Sequence, residues 1–541
     1  MLPIILTRLA MTIGAIALVY RLAAVDRAES DGLPKRQNLT GYWLANLVLL
    51  SVVLYLGLFM YPKPWVIVHE HDIFHYYMGS KYSEEVGYLD LYQCATVAES
   101  ENLGEDPKYM VRKMDDYRFV WSKEVIERGD EYRALFTPER WEEFKGDVAV
   151  FRDKMGGGER WNTVLGDNGY NATPAWNMIA RPISNLISVQ WPPGLLILAA
   201  FDTVLLILAF VAVGRTFDRR TALLAVIFLG TLVTMADGTI RGAYLRLDWL
   251  VALVLATCAL KRERYKTAGA LVAYAGMVRI FPLVFLFGLG AKATWDFLAT
   301  RRLNRRYVEF FVVVALVTAT LFGLSATVGG SLDDWETFWE KIRFHDGRMS
   351  ALRVGFKTLF LAGISPFMED WPAGSLGRSA RADEVQALWR SLQALAIVVA
   401  FFAVRRLEDY ETIPFGWVLV YFLAAPTHYY QVVLLPLSLL FLPKLTERVR
   451  LHGIALLLGA SAVAYMLWIR QNADQGFWGT NWERFHYPLS VSFSGMLLLV
   501  ALYVLGLSFY RGFTRGAPPS SAVAAAPGSG SRQPGPPTAR G

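Results

Sequence analysis

The sequence predicts an all-α protein that crosses a membrane many times, and three observations carry that expectation. The chain has 541 residues and is 54% hydrophobic, and its apolar runs recur at close to the ~20 residues a helix needs to span a bilayer. Tryptophan and tyrosine gather at the ends of those runs, as an interfacial belt requires. The runs are continuous instead of alternating, which excludes a β-barrel.

The formal net charge of +7 comes from short basic loops between apolar runs, a pattern that orients membrane proteins instead of recruiting nucleic acid. Spans are expected near 41–61, 191–213, 221–236, 244–260, 267–278, 280–291, 307–326, 388–404, 413–425, 429–443, 453–469 and 490–510. The basic loops hold Arg21 to Arg36, Arg215 to Arg220, Lys261 to Lys266, Arg301 to Arg306, Arg405 and Arg406, Lys444 to Arg450, and Arg511 and Arg515. Placing them all in the cytoplasm makes every other loop exoplasmic. That assignment requires 267–291 to run out and back as two short segments, turning at Met277-Val278-Arg279-Ile280-Phe281-Pro282. Half-helices that meet at a charged, proline-containing break are tolerated only where they line protein or a water cavity. The segment Ala424-Ala425-Pro426-Thr427-His428-Tyr429-Tyr430 reads the same way.

Residues 1–40 read as an N-terminal membrane segment, interrupted by Arg8, followed by a basic cytoplasmic loop, with the N-terminus exoplasmic. Residues 41–515 form the transmembrane domain. Residues 516–541 are rich in Pro, Ala, Gly and Ser and read as a disordered cytoplasmic tail. Cys94 lies in a polar loop and Cys258 in an apolar run, so no disulfide is expected between them. The exoplasmic loop 62–190 exceeds every other connection, and loops of such length are usually functional. Its middle, 107–160, is dense in both charge signs with helical spacing, and it closes with the turn-rich string Asp167 to Pro174.

Candidate chemistry concentrates in His69-Glu70-His71-Asp72-Ile73-Phe74-His75-Tyr76-Tyr77, just beyond an apolar span. Acid there is costly in lipid and must face water or a polar cavity. Asp72 suits general-base work on a hydroxyl; a solvated carboxylate at a helix start is the plain alternative. Glu70 with Asp72 has the spacing of a divalent-cation pair, and His71 with His75, at i and i+4, makes half of a metal site. Neither is complete, so no metal is expected. Arg279 at the helix break, with Arg241 and Arg246 around a short exoplasmic loop, offers guanidinium groups for a phosphate. Snorkelling or solvated loop charges are the alternative for these three. His428 and His345 are candidate neighbours of the site, as are Tyr76 and Tyr77. No Walker loop or dinucleotide fingerprint occurs; Gly156-Gly157-Gly158 lacks the flanking strand and lysine.

Four ordered segments resemble the GT-C superfamily of membrane glycosyltransferases, and within it glycosyltransferase family 87, the polyprenyl-phosphate-mannose-dependent mannosyltransferases. They are Asp72 to Tyr77 continuing through Gly79 and Gly87-Tyr88-Leu89-Asp90-Leu91-Tyr92; Gln190-Trp191-Pro192-Pro193-Gly194; Ala268 to Pro282, with Arg279 where lysine is usual; and Ala425 to Tyr430. The resemblance implies a GT-C-type bundle of about 12–13 transmembrane segments with a large exoplasmic first loop. It implies a polyprenyl-phosphate sugar donor, a lipid or glycan acceptor, and no metal or other cofactor. Asp72 would be the base, Arg279 a donor-phosphate ligand, and His428 an active-site neighbour. The Arg- and Ala-rich composition suggests a bacterial inner membrane with the site facing outward. A transporter or lipid flippase is the competing class, because broken helices with central charges suit it too. A non-catalytic assembly protein using loop 62–190 to bind a partner is the third.

Overall fold

Long apolar helices dominate the computed structural model, which describes residues 2–30, 37–57, 67–236, 240–347, 349–362, 374–475 and 482–514. The expected tail, 516–541, lies outside the described residues. Among the described residues, seven helices are long and apolar enough to cross a membrane: Leu2–Ala28, Gly194–Thr216, Phe281–Thr300, Arg305–Thr327, Gln386–Arg406, Arg448–Gln471 and His486–Tyr510. Their outward side chains, such as Leu208, Val312, Leu316 and Val398, are exposed, as a lipid-facing surface requires. The chain is an all-α integral membrane protein.

Several expected spans form shorter helices, among them Arg219–Thr231, Asp248–Lys261, Tyr265–Arg279 and Thr412–Leu423. Each is below the ~20 residues of a full crossing. Asp248–Lys261 and Thr412–Leu423 are buried almost throughout, so protein and not lipid surrounds them. The helix Tyr265–Arg279 packs closely on Arg305–Thr327, where a Cβ at Gly269 would lie 2.5 Å from the Phe310 carbonyl oxygen. Arg8, the charge that interrupts the first apolar run, is buried and donates to the carbonyl of Gly230 (2.6 Å). Both Cys94 and Cys258 are buried free thiols.

An acidic turn gathers basic loops at one end of the bundle. Lys261 and Lys444 meet Glu408 (3.0 and 2.5 Å), Lys292 meets Asp409, and Arg450 meets Glu411. Arg306 also pairs with Glu263 (3.0 Å). The two ends of the 265–300 stretch therefore lie together, as an out-and-back path requires. Between them the helix breaks after Arg279: Ile280 takes φ +57°, and a 3₁₀ turn Phe281–Phe285 follows. The second expected break is also present. The helix Thr412–Leu423 ends, and residues 424–427 run extended, with the Val354 N–H donating to the Pro426 carbonyl (3.0 Å).

The long loop folds as a domain of short helices over the opposite end. Its longest helix, Pro138–Met155, is capped by the Thr137 side chain, which accepts from the Arg140 N–H. The helical spacing read across 107–160 fails at one place. Met110–Arg112 and Phe119–Trp121 pair as an antiparallel hairpin, with Val111 opposite Val120. Both valines are buried between exposed or half-buried neighbours, which is strand periodicity.

Lys341, on helix Leu332–Gly347, pins this domain from the other side. Its Nζ is buried and donates to the carbonyls of Tyr88 (2.8 Å) and Tyr170 (3.0 Å). Burial pushes its ammonium down to about 7, while an unfolded chain keeps the ordinary value of about 10.4. Between those values the unfolded chain binds the extra proton, so raising the pH stabilises the fold. The melting temperature of the detergent-solubilised protein is expected to rise from pH 7 to 10 relative to Lys341→Met. Parallel pH profiles for the two proteins would contradict this reading.

Candidate active site

The site begins where residues 67–69 cross the turn at Gly242. The His69 N–H donates to the Gly242 carbonyl (2.8 Å). A Cβ at Gly242 would sit 1.7 Å from the Ile67 carbonyl oxygen, and φ there is +71°, so only glycine fits. The His69 ring caps the next helix, its Nδ1 accepting the Asp72 N–H (3.1 Å). That helix, Glu70–Ile73, runs into a π-helical turn, Phe74–Met78. Such turns are rare and often mark functional sites.

Asp72 is 8% exposed. Its Oδ1 lies 3.2 Å from Arg246 Nε, and its Oδ2 is buried without a hydrogen-bond partner among the described residues. Burial pushes the Asp72 carboxyl above its ordinary value, against the opposing charges of Arg246, His71 and Arg279. A carboxylate raised in this way is a stronger base with one oxygen still available.

Arg246 is held from below. Asp202, within the apolar helix Gly194–Thr216, accepts the N–H groups of Arg246 (2.9 Å) and Leu247 (3.0 Å). The Trp249 indole donates to the Arg246 carbonyl (3.0 Å). The guanidinium lies 4.1 Å from the centre of the Tyr76 ring and donates to the Tyr76 hydroxyl. Arg279 approaches the same ring from the helix break, 5.4 Å from Tyr76 and 5.5 Å from Trp176. Behind it, Asp248 accepts from the Tyr274 hydroxyl (2.9 Å) and feels the Arg279 charge. Tyr430, Phe281 and Trp249 pack together, joining the two broken segments, and Tyr429 flanks Arg246 at 5.7 Å.

The structure thus brings Asp72, Arg246, Arg279 and Tyr76 together. The other candidates are elsewhere. Arg241 donates to the Leu54 carbonyl at the end of helix Gln37–Tyr55 (2.5 Å). Tyr77 points into the loop domain, toward Asp147 (3.3 Å) and Lys81 (3.0 Å). His345 Nε2 faces the Tyr117 hydroxyl (3.2 Å). The His428 ring lines a separate cavity of about 20 Å³ beside Trp468 and His486; its neighbours Tyr429 and Tyr430 face the site instead. Glu70 pairs with Arg160 (2.9 Å) while Asp72 pairs with Arg246, so these two acids do not share a cation. Asp202, Asp248, Trp176, Tyr429 and Tyr430 were absent from the sequence-based set. Asp202 and Asp248 carry a signal as acids within apolar runs, Tyr429 and Tyr430 stand in the break segment itself, and Trp176 carries none.

A larger cavity of about 630 Å³ opens next to this cluster, lined by Tyr88, Tyr170, Asn177, Arg181, Asp333 and Asp334 among others. Tyr170 separates the two, its ring 5.9 Å from that of Tyr76. No protein-family model matches the chain, and no curated protein matches it as a relative.

Asp202→Ala strands the N–H groups of Arg246 and Leu247 in the interior, at about 1–3 kcal/mol for each. The expected result is a lower melting temperature with retained expression. An unchanged melting temperature would show that Asp202 does not hold the Arg246 turn.

Proposed function

We propose that the chain is an integral-membrane glycosyltransferase of the GT-C type. It moves a hexose, mannose by the family resemblance, from a polyprenyl-phosphate donor to a lipid or glycan acceptor at the exoplasmic face. The observation that carries this reading is the buried Asp72 carboxylate, with one oxygen unpartnered, set against two arginines over a single tyrosine ring. The ordered sequence motifs supply the substrate class, and the basic loops supply the orientation.

In this reaction the acceptor hydroxyl attacks the anomeric carbon and its proton passes to Asp72 Oδ2. The bond from the anomeric carbon to the phosphate oxygen breaks, and the configuration inverts. Charge grows on the departing lipid phosphate, where Arg279 and Arg246 present paired N–H donors. A lipid phosphate is a good leaving group, so the step needs no metal. Arg241, anchored at Leu54, has no part in it. A flippase would need the same charges to be reachable from both faces; here Asp72, Arg246 and Arg279 cluster at one end, apart from the Glu408 network.

The test is incubation of the protein in nanodiscs with labelled polyprenyl-phosphate mannose and a membrane-lipid extract. The parent protein is expected to label one product. Asp72→Asn should cut transfer by about 10²–10⁴-fold while donor binding persists. Transfer that survives in Asp72→Asn would remove the base assignment. Lipid translocation without any transfer would remove the enzyme reading.

A further inference from the structure

The histidines beside Asp72 gain in the structure what their spacing alone did not supply. His71 and His75 stand one turn apart on the helical segment that carries Asp72, and Asp167 reaches them from the far end of the same long loop. His71 Nε2 lies 2.9 Å from Asp167 Oδ2. A ring nitrogen of each histidine and a carboxylate oxygen of Asp167 all fall within 4.8 Å of one another. In a tetrahedral zinc site, with bonds of about 2.0–2.1 Å, neighbouring ligand atoms sit about 3.3 Å apart. Small side-chain rotations close that difference.

The surrounding hydrogen bonds favour coordination. His75 Nδ1 is 2.9 Å from the His71 carbonyl oxygen; donation to that oxygen fixes the tautomer and leaves the lone pair on Nε2. The Tyr92 hydroxyl sits 2.6 Å from that nitrogen and accepts from the Gly169 N–H (2.8 Å), so it moves aside or becomes the fourth ligand when a metal enters. His75 is buried, whereas the His71 and Asp167 side chains are 28% and 43% exposed, which gives an ion a route in from water.

We propose that His71, His75 and Asp167 form a binding site for a divalent transition metal of the zinc class, clasping the two ends of the exoplasmic loop beside Asp72. Two imidazoles and one carboxylate select zinc or cobalt over magnesium or calcium, which prefer all-oxygen ligands. On binding, the metal takes the place of the hydrogen between His71 Nε2 and Asp167 Oδ2, and His71 carries its ring proton on Nδ1. The ion positions the segment that carries Asp72 and takes no part in the transfer step. The site stands or falls separately from the transferase reading, because its test reads metal and not sugar.

Tag-free full-length protein, stripped with chelator, is titrated with Co²⁺ and followed by its visible d–d absorption. The expected result is one equivalent bound, displaced by Zn²⁺ and not by excess Mg²⁺, with Zn²⁺ raising the melting temperature. Asp167→Asn, which preserves shape, should weaken Co²⁺ at least about tenfold and abolish the thermal shift, as should His71→Gln. His452→Gln, at the opposite end of the molecule, should bind normally. Absence of saturable Co²⁺ binding to the parent protein overturns the site. Unchanged affinity in well-folded Asp167→Asn overturns it as well, because the ion then sits elsewhere.

Discussion

One buried guanidinium organises the candidate site. Arg246 is 6% exposed and contacts Asp72, the face and hydroxyl of Tyr76, and the flank of Tyr429. A guanidinium stays charged wherever it is placed, and leaving such a charge buried without its partner costs about 3–5 kcal/mol. Asp72 therefore cannot turn away cheaply, and neither can the tyrosine. Asp202 completes the arrangement from within the apolar helix by fixing the backbone turn from which Arg246 projects. A carboxylate at membrane depth is an expensive cap, and it is tolerated because both of its oxygens accept backbone N–H groups.

The long loop is joined to the bundle at points that surround this guanidinium. The His69 N–H meets the Gly242 carbonyl, the Trp176 indole donates to the Leu245 carbonyl (3.1 Å), and the Thr173 hydroxyl donates to the Met277 carbonyl (2.8 Å). Thr173 also caps the helix that presents Trp176. The broken backbone near Arg279 and Leu245 would otherwise expose carbonyls to an apolar surrounding, and the loop satisfies them. Fold and site thus share the same hydrogen bonds. The geometry of the candidate site and the docking of the loop should respond together to damage at these joints.

The sequence made some of this legible, for definite reasons. Apolar length and basic loops report a membrane fold directly, because bilayer thickness and charge asymmetry act on local composition. Asp72 and the Arg279 break were visible because an acid and a Pro-containing interruption are conspicuous next to apolar runs. The hairpin at 110–121 was hidden by its charged neighbours, since two buried valines are too few to declare a period. The choice among the arginines was not legible either. Arg241 and Arg246 share one short loop, and only the tertiary path sends the first to Leu54 and the second to Asp72. In the break segment His428 is the conspicuous side chain by its chemistry, but the 3₁₀ turn His428–Val433 sets Tyr429 beside Arg246 and Tyr430 against Trp249 and Phe281. Asp167, the partner of His71, lies too far along the chain for spacing to reveal.

The proposed reaction depends on the pairing of Asp72 with the two arginines around a lipid phosphate. Its most direct test is an experimental structure of the protein with a non-transferable polyprenyl-phosphonate sugar. The phosphonate is expected to contact Arg246 and Arg279 above Tyr76, with the anomeric carbon facing the free oxygen of Asp72. A phosphonate bound at Arg241, in the cavity beside His428, or at the Glu408 end of the bundle would contradict it.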